Sequence, residues 1–108
     1  MLTDAASNVF SSIYVCAGRT DLRKGMEGLA WTLTSKYGIN PYQENTLFLF
    51  RGNASYKIKG LLWERNGFVL VQKRLKDTRF RWPTDESKGL ILISYESYIQ
   101  LMNEGSIE

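Results

Sequence analysis

Lysines and arginines are concentrated between residues 51 and 81 of this 108-residue chain. That segment has nine basic residues and two acidic ones, a net charge of +7, whereas residues 1–50 are neutral and residues 82–108 carry −4. A concentrated basic segment is typical of a protein that binds a polyanion. The alternative is a solvated hairpin whose lysines prevent edge-to-edge aggregation. Composition alone does not separate these two interpretations.

Eight basic residues form the candidate nucleic-acid site. They are Arg23, Lys24, Lys57, Lys59, Lys73, Arg74, Arg79 and Arg81. Cations on a two-stranded ribbon can follow phosphates, and such a ribbon fits the major groove of B-DNA. Trp63, Phe68 and Leu70 are instead candidates for binding a protein partner, because aromatic residues beside arginine are enriched at interface hot spots. Trp63, Phe80 and Trp82 could also serve as base-stacking platforms, and packing in the core or at its rim is the alternative role for these three.

The sequence lacks the residues that most catalytic and metal sites need. It has no histidine and one cysteine, Cys16, so the commonest general base is missing and a structural zinc site has too few ligands. We therefore predict no catalytic residues, no metal and no cofactor. A single cysteine also excludes an internal disulfide and favours a reducing cytoplasm. No apolar run approaches the roughly 20 residues that a membrane span needs.

A long β-hairpin is predicted between residues 57 and 74. The Asn-Gly dipeptide at 66–67 is the strongest short-range signal for a two-residue turn, and it predicts that Arg65 faces Phe68. Because side chains alternate along a strand, one face then carries aromatic and basic residues and the other is mostly aliphatic.

The rest of the chain supplies the elements that position this hairpin. They are strands at 12–17 and 46–50, a main helix from 21 to about 36 with Thr20 as its cap and Gly38 as its end, an extended segment at 79–82, and a final helix at 95–104. Together they predict an α+β fold: a small antiparallel meander sheet with a long hairpin, one main helix packed on one face, and a short C-terminal helix. We expect residues 1–11 to form a flexible arm and residues 12–108 a single domain.

An ordered set of motifs resembles a known family. The motifs are IYVCAGRTDLRKGMEGLA, LFLF, KIKGLLWERNGF, KRL and RFRWP, in this order between residues 13 and 83. The chain is similar to the TnpB accessory proteins of insertion sequences of the IS-sixty-six type, which are products of a second open reading frame. The resemblance implies a small bacterial protein that is needed for transposition, is encoded with a separate transposase and has no catalytic residues. Family members tend to carry several arginines in the loop before the hairpin, whereas residues 51–56 contain only Arg51.

Two hypotheses remain open from the sequence. The first is an accessory protein that binds DNA with little sequence specificity and supports the transposase of the same element. The second is a protein-interaction module that docks on the transposase, or on a second copy of itself, without binding DNA. The sequence leaves the oligomeric state open.

Overall fold

Five strands and two helices make up the part of the protein that the computed structural model describes, residues 10–106. In chain order they are β1 Ser12–Cys16, α1 Met26–Tyr37, β2 Thr46–Arg51, β3 Lys57–Glu64, β4 Gly67–Arg74, β5 Leu90–Ile93 and α2 Tyr95–Glu104, with one turn of 3-10 helix at Glu86–Lys88 before β5. Residues 1–9 of the predicted arm lie outside the described residues. At the end of that arm, Phe10 packs against the core and the Ser11 amide donates to the Asn45 carbonyl over 2.7 Å.

The strands form one sheet in the order β4-β3-β2-β1-β5. The predicted α+β class is confirmed, and β2, β3 and β4 form the expected antiparallel meander. The pairing of β1 with β2 differs from the prediction, because it is parallel. Helix α1 connects these two strands across one face of the sheet, and a crossover of this kind brings the chain back in its original direction. Strand β5 was not predicted; its sequence, LILI, has no polar alternation that would distinguish it from a buried helix segment.

Two apolar clusters lie on the two faces of the sheet. On the α1 face, Leu29 and Leu33 pack against Phe48 and Leu61. The residues that pack on the α2 face are Ile13, Val15, Leu47, Leu49, Ile58, Leu62, Phe80, Trp82, Tyr98, Leu101 and Met102. Strand β2 is central to both clusters and is buried along its whole length.

The hairpin forms as predicted, but its register is displaced by two residues. Its loop is Arg65-Asn66, and Trp63 faces Phe68. Arg65 has φ = 50°, the left-handed conformation that a type I′ turn would instead require of Asn66 and Gly67. The observed register places apolar residues opposite one another, whereas the predicted one would place Leu61 opposite Gln72. A shift of two residues keeps each side chain on its predicted face.

The main helix begins five residues later than predicted, at Met26. Thr20 is not its cap; Gly25 occupies that position, and no side chain caps it. The Asp21 carboxylate accepts a hydrogen bond from the Arg23 amide over 3.0 Å, and this short-range bond stabilises a turn instead of a helix. The helix ends at Gly38, as predicted, with φ = 64°.

The C-terminal elements agree with the prediction except in one segment. Helix α2 has its predicted bounds, with Ser94 as a cap that accepts from the Ser97 amide over 3.0 Å. The segment 79–82 forms a single bridge, between Arg81 and Ser106, and no strand. Its aromatic residues, Phe80 and Trp82, are buried in the cluster on the α2 face, and the Trp82 indole donates to the Cys16 carbonyl over 2.9 Å.

Candidate nucleic-acid interface

One end of the sheet brings basic residues together from four strands. Because β1 and β2 are parallel, both terminate at this end of the sheet. Strand β3 begins there and β4 terminates there. Arg19 follows the end of β1, and Lys57 opens β3 directly opposite Arg74, the last residue of β4. The topology therefore gathers residues that are up to 60 positions apart in the sequence.

Two clefts lie at this end of the sheet, and the first has a volume of about 860 Å³. Its basic lining residues are Arg19, Arg23, Lys57 and Lys59. Its acidic lining residues are Asp21 and Glu86. The cleft thus has an excess of two positive charges, and its wall is formed by the turn before α1 and the loop between β2 and β3.

Asp21 and Arg23 neutralise each other within this cleft. The Arg23 guanidinium donates from Nε and Nη2 to the two oxygens of the Asp21 carboxylate, over 3.0 and 2.9 Å. These bonds from Arg23 lower the pKa of Asp21 to about 2, and the same contact raises the pKa of Arg23. Arg23 was a predicted phosphate-binding residue, and it lies in the cleft with its charge already paired.

Glu86 is the second carboxylate of the cleft. Its Oε1 lies 3.2 Å from the Lys36 ammonium in the last turn of α1. Its Cγ lies so close to Gly18 that a Cβ there would be 2.3 Å away, so a side chain at position 18 would displace Glu86. The absence of a side chain at Gly18 thus allows a negative charge to lie beside Arg19.

Lys57 and Lys59 reach the cleft from β3. The Lys59 ammonium donates to the Leu22 carbonyl over 2.5 Å, which joins β3 to the turn before α1. Both lysines are half-buried, and among the described residues neither forms an ion pair. Their charge is therefore available to a bound anion.

A second cleft of about 620 Å³ adjoins the first at the Lys57–Arg74 pair. It is lined by Tyr56, Arg74, Leu75, Lys76, Asp77, Thr78 and Arg79. The Arg74 guanidinium lies over the Tyr56 ring, 4.8 Å from its centroid, and Arg79 donates to the Ser55 hydroxyl over 2.9 Å. These contacts fix the two arginines in place while leaving both exposed to solvent.

We call the basic residues that line these two neighbouring clefts the basic band. It consists of Arg19, Arg23, Lys57, Lys59, Arg74, Lys76 and Arg79. Five of these were in the predicted site. Arg19 and Lys76 were not, and only the parallel pairing of β1 with β2 could have indicated that Arg19 lies beside Lys57.

Three residues of the predicted site lie elsewhere. Lys24 donates to the Thr32 hydroxyl over 3.2 Å, on α1. Lys73 lies on the α2 face of the sheet, where its ammonium donates to the Met102 carbonyl over 2.5 Å. The Arg81 side chain is exposed and its backbone amide donates to the Gly105 carbonyl, beside the end of α2. None of these three lines either cleft.

Arg51 adds a buried positive charge at the same end of the sheet. It is 9% exposed, and its Nε has no hydrogen-bond partner among the described residues. Burial, and then the nearby charge of Arg19, lower the pKa of Arg51. It ends β2 with its side chain on the α2 face, opposite Ile58, and so increases the positive potential without lining the band.

The predicted partner-binding residues lie at the opposite end of the hairpin. The ring centroids of Trp63 and Phe68 are 5.0 Å apart. The ring centroid of Tyr42, which was not among the predicted residues, lies 5.0 Å from that of Trp63 and 5.4 Å from that of Phe68. Tyr42 is 57% exposed. Leu70 packs against the cluster on the α1 face instead of joining these rings. We call Tyr42, Trp63 and Phe68 the aromatic cluster.

Within residues 10–106, no three histidine, cysteine or acidic side chains are grouped so that they could hold a metal ion. In the same range, neither helix combines the length and apolar character needed to cross a bilayer.

Comparison with known proteins identifies the family of this chain. The family model described as "IS66 Orf2 like protein" matches residues 11–107. The chain belongs to the IS66 Orf2-like family. Among its relatives, the uncharacterized protein y4hO of Sinorhizobium fredii is 37% identical over 82 residues, which cover 76% of this chain and 70% of that protein. The uncharacterized protein y4jC of the same organism is 28% identical over 90 residues, covering 83% and 75%. No solved structure matches this IS66 Orf2-like chain.

Proposed function

We propose that this protein is a non-catalytic accessory component of an insertion-sequence transposition system. It binds DNA in the cytoplasm through the basic band and supports a separate transposase of the same element. Membership of the IS66 Orf2-like family supports the setting in transposition.

The observation that carries DNA binding is the convergence of the basic band. Six of its residues are without an acidic partner among the described residues; they are Arg19, Lys57, Lys59, Arg74, Lys76 and Arg79. Only two ion pairs occur in the described range, Asp21–Arg23 and Glu86–Lys36. A basic surface that its own protein leaves unpaired is the electrostatic footprint of a polyanion partner.

The chemistry of the one cysteine supports a non-catalytic role. Cys16 is fully buried beneath α1, and burial raises the pKa of its thiol. The thiolate is the nucleophilic form of cysteine, and a buried thiol of this kind is structural.

The test is a titration of the full chain with labelled duplex DNA at a series of salt concentrations. If about six phosphates are neutralised, log K should fall with log[salt] with a slope near −5. A slope near zero, or no binding at low salt, would contradict the proposal. A scrambled duplex serves as control, and we expect it to bind with similar affinity because phosphate contacts carry no sequence information.

The aromatic cluster favours a second candidate function, docking on the transposase. Tyr42 is exposed, whereas Trp63 and Phe68 are half-buried, so the three rings form a partly exposed apolar group next to the Arg65 turn. Tyr, Trp and Arg are enriched at interface hot spots. The test is co-purification of the chain with the transposase after nuclease treatment. Loss of the complex on Trp63→Ala would support docking, whereas unchanged recovery would count against it. Trp31→Ala is the matched control, because Trp31 is 65% exposed and lies outside the cluster.

A further inference from the structure

The positions of the aromatic residues restrict the kind of DNA that the basic band can hold. All fourteen aromatic residues of the chain lie within residues 10–106. Tyr56 is the one aromatic residue that lines either cleft. Proteins that bind single strands combine a basic groove with aromatic rings on which the unpaired bases stack, so the state of Tyr56 is decisive.

Arg74 covers one face of the Tyr56 ring in the described structure, so that face is not free for a base. Arg74 covers it at 4.8 Å, and the ring is half-buried. Stacking a base on that face would require Arg74 to move and would displace one of the cations of the band. The Tyr56–Arg74 contact therefore fixes an arginine of the basic band, and it occupies one of the two ring faces on which a base could stack.

The aromatic cluster is too distant to serve the band. Trp63 is six residues along β3 from Lys57, which corresponds to roughly 20 Å at about 3.3 Å per residue. Between them the same face of the hairpin is covered by α1, and Leu61 is fully buried there. Phe80 and Trp82, which the sequence alternates with Arg79 and Arg81, are buried in the core.

We infer that the basic band binds the phosphate backbone of duplex DNA and not the unstacked bases of a single strand. This inference rests on the proposed function, and it specifies the class of DNA. A duplex presents phosphates at twice the axial density of one strand. A basic surface that lacks rings for stacking bases should therefore bind a duplex more tightly than a single strand.

The experiment compares the full chain on a 20-base-pair duplex with the same chain on each separated strand and on a dT oligomer of equal length. At about 50 mM salt, we expect the duplex to bind about tenfold more tightly, since counterion release per phosphate is larger for a duplex than for a single strand. Equal or tighter binding of the single strands would overturn the inference and leave the proposed function standing. Failure of every oligomer to bind would overturn both.

A variant at the one candidate ring provides an independent measurement. Tyr56→Leu removes the ring, and we expect it to weaken duplex and single-strand binding by the same small factor, less than about threefold. A selective loss of single-strand affinity of about fivefold or more would show that a base stacks there, and would overturn the inference. Trp31→Leu is the matched control, because it removes an exposed ring outside both clefts.

Discussion

Arg23, a residue of the basic band, donates two side-chain hydrogen bonds to the Asp21 carboxylate, and the pH dependence of this pair can be measured. The pKa of Asp21 is lowered to about 2 by its hydrogen bonds from Arg23, against about 3.9 for an unfolded chain. The folded state therefore binds fewer protons, so the stability contributed by this pair is present above about pH 4 and is lost as the pH falls towards 2. Because Asp21 is exposed, we expect that contribution to be small.

The measurement is a carboxyl-carbon NMR titration, in which Asp21 should have its midpoint near pH 2. Arg23→Gln removes the charged side-chain hydrogen bonds that lower the pKa of Asp21, and we expect the midpoint to rise towards 4. Arg79→Gln, which removes a charge from the other cleft, should leave it unchanged. A midpoint near 4 in the unaltered protein would refute the pairing.

Tyr98 is a buried hydroxyl whose removal should stabilise the protein. Its side chain is fully buried, and its hydroxyl has no hydrogen-bond partner among the described residues. An unsatisfied buried polar group costs about 1–3 kcal/mol, so Tyr98→Phe should raise the free energy of unfolding by roughly 1 kcal/mol. Urea unfolding measures this change, and Tyr95→Phe, which removes a neighbouring hydroxyl, should give no gain. A loss of stability in Tyr98→Phe would show that the hydroxyl has a partner.

The same residue predicts an effect at high pH. Burial, followed by the nearby Tyr95, raises the pKa of Tyr98 to about 12, above the usual value of about 10. The folded state holds this proton more tightly than the unfolded state, so stability should fall as the pH rises from about 10 towards 12. In Tyr98→Phe this part of the decline should be absent, which a urea-unfolding series between pH 9 and 12 would reveal.

The elements that local sequence determines were predicted well, and those that tertiary contacts determine were not. Helix α2 has its cap at Ser94 and its end at Gly105, both local signals, and its bounds agree with the prediction. The start of α1 and the parallel pairing of β1 with β2 depend on longer-range geometry. Thr20, which could have capped the helix, is buried at the end of the sheet and its amide donates to the Arg51 carbonyl over 2.8 Å.

The candidate site shows the same division. The sequence grouped Lys57, Lys59 and Arg74 across the hairpin, because period-two alternation places them on one face. It put Lys59 opposite Arg74, whereas the structure pairs Lys57 with Arg74. It also grouped Lys73 with them, although adjacent residues on a strand point to opposite faces. Lys73 contacts Met102 on the α2 face. Arg19 could be assigned to the band only once the order of the strands was known, since no local pattern brings residue 19 to residue 57.

The 3-10 turn at Glu86–Lys88 should lower the affinity of the basic band for DNA. Glu86 lines the first cleft and contacts Lys36, so its carboxylate would compete with a bound phosphate for positive charge. Glu86→Gln should increase DNA affinity about threefold to tenfold at low salt, in line with a unit charge interaction of about 1 kcal/mol near 4 Å in water. Glu96→Gln is the matched control, because it makes the same change of net charge at the exposed start of α2. Equal gains in the two variants would show that only net charge matters.

If the protein has the proposed function, the arrangement of charge over the fold, and not the total net charge, should determine its affinity for DNA. Two double variants separate these explanations. Lys57→Gln with Arg74→Gln removes two cations of the basic band, whereas Lys73→Gln with Arg81→Gln removes two cations that lie outside both clefts. Both variants change the net charge from +3 to +1.

We expect the first double variant to make the salt dependence shallower by about 2, because each lost phosphate contact removes about 0.9 from the slope. Its affinity should fall to the same extent on every duplex sequence, since phosphate contacts position the protein without reading bases. The second double variant should keep a slope near −5. Circular dichroism and urea unfolding of both variants distinguish lost contacts from lost folding. Equal slopes in the two variants would mean that DNA responds only to the net charge of the protein, and the basic band would then have no role as a site.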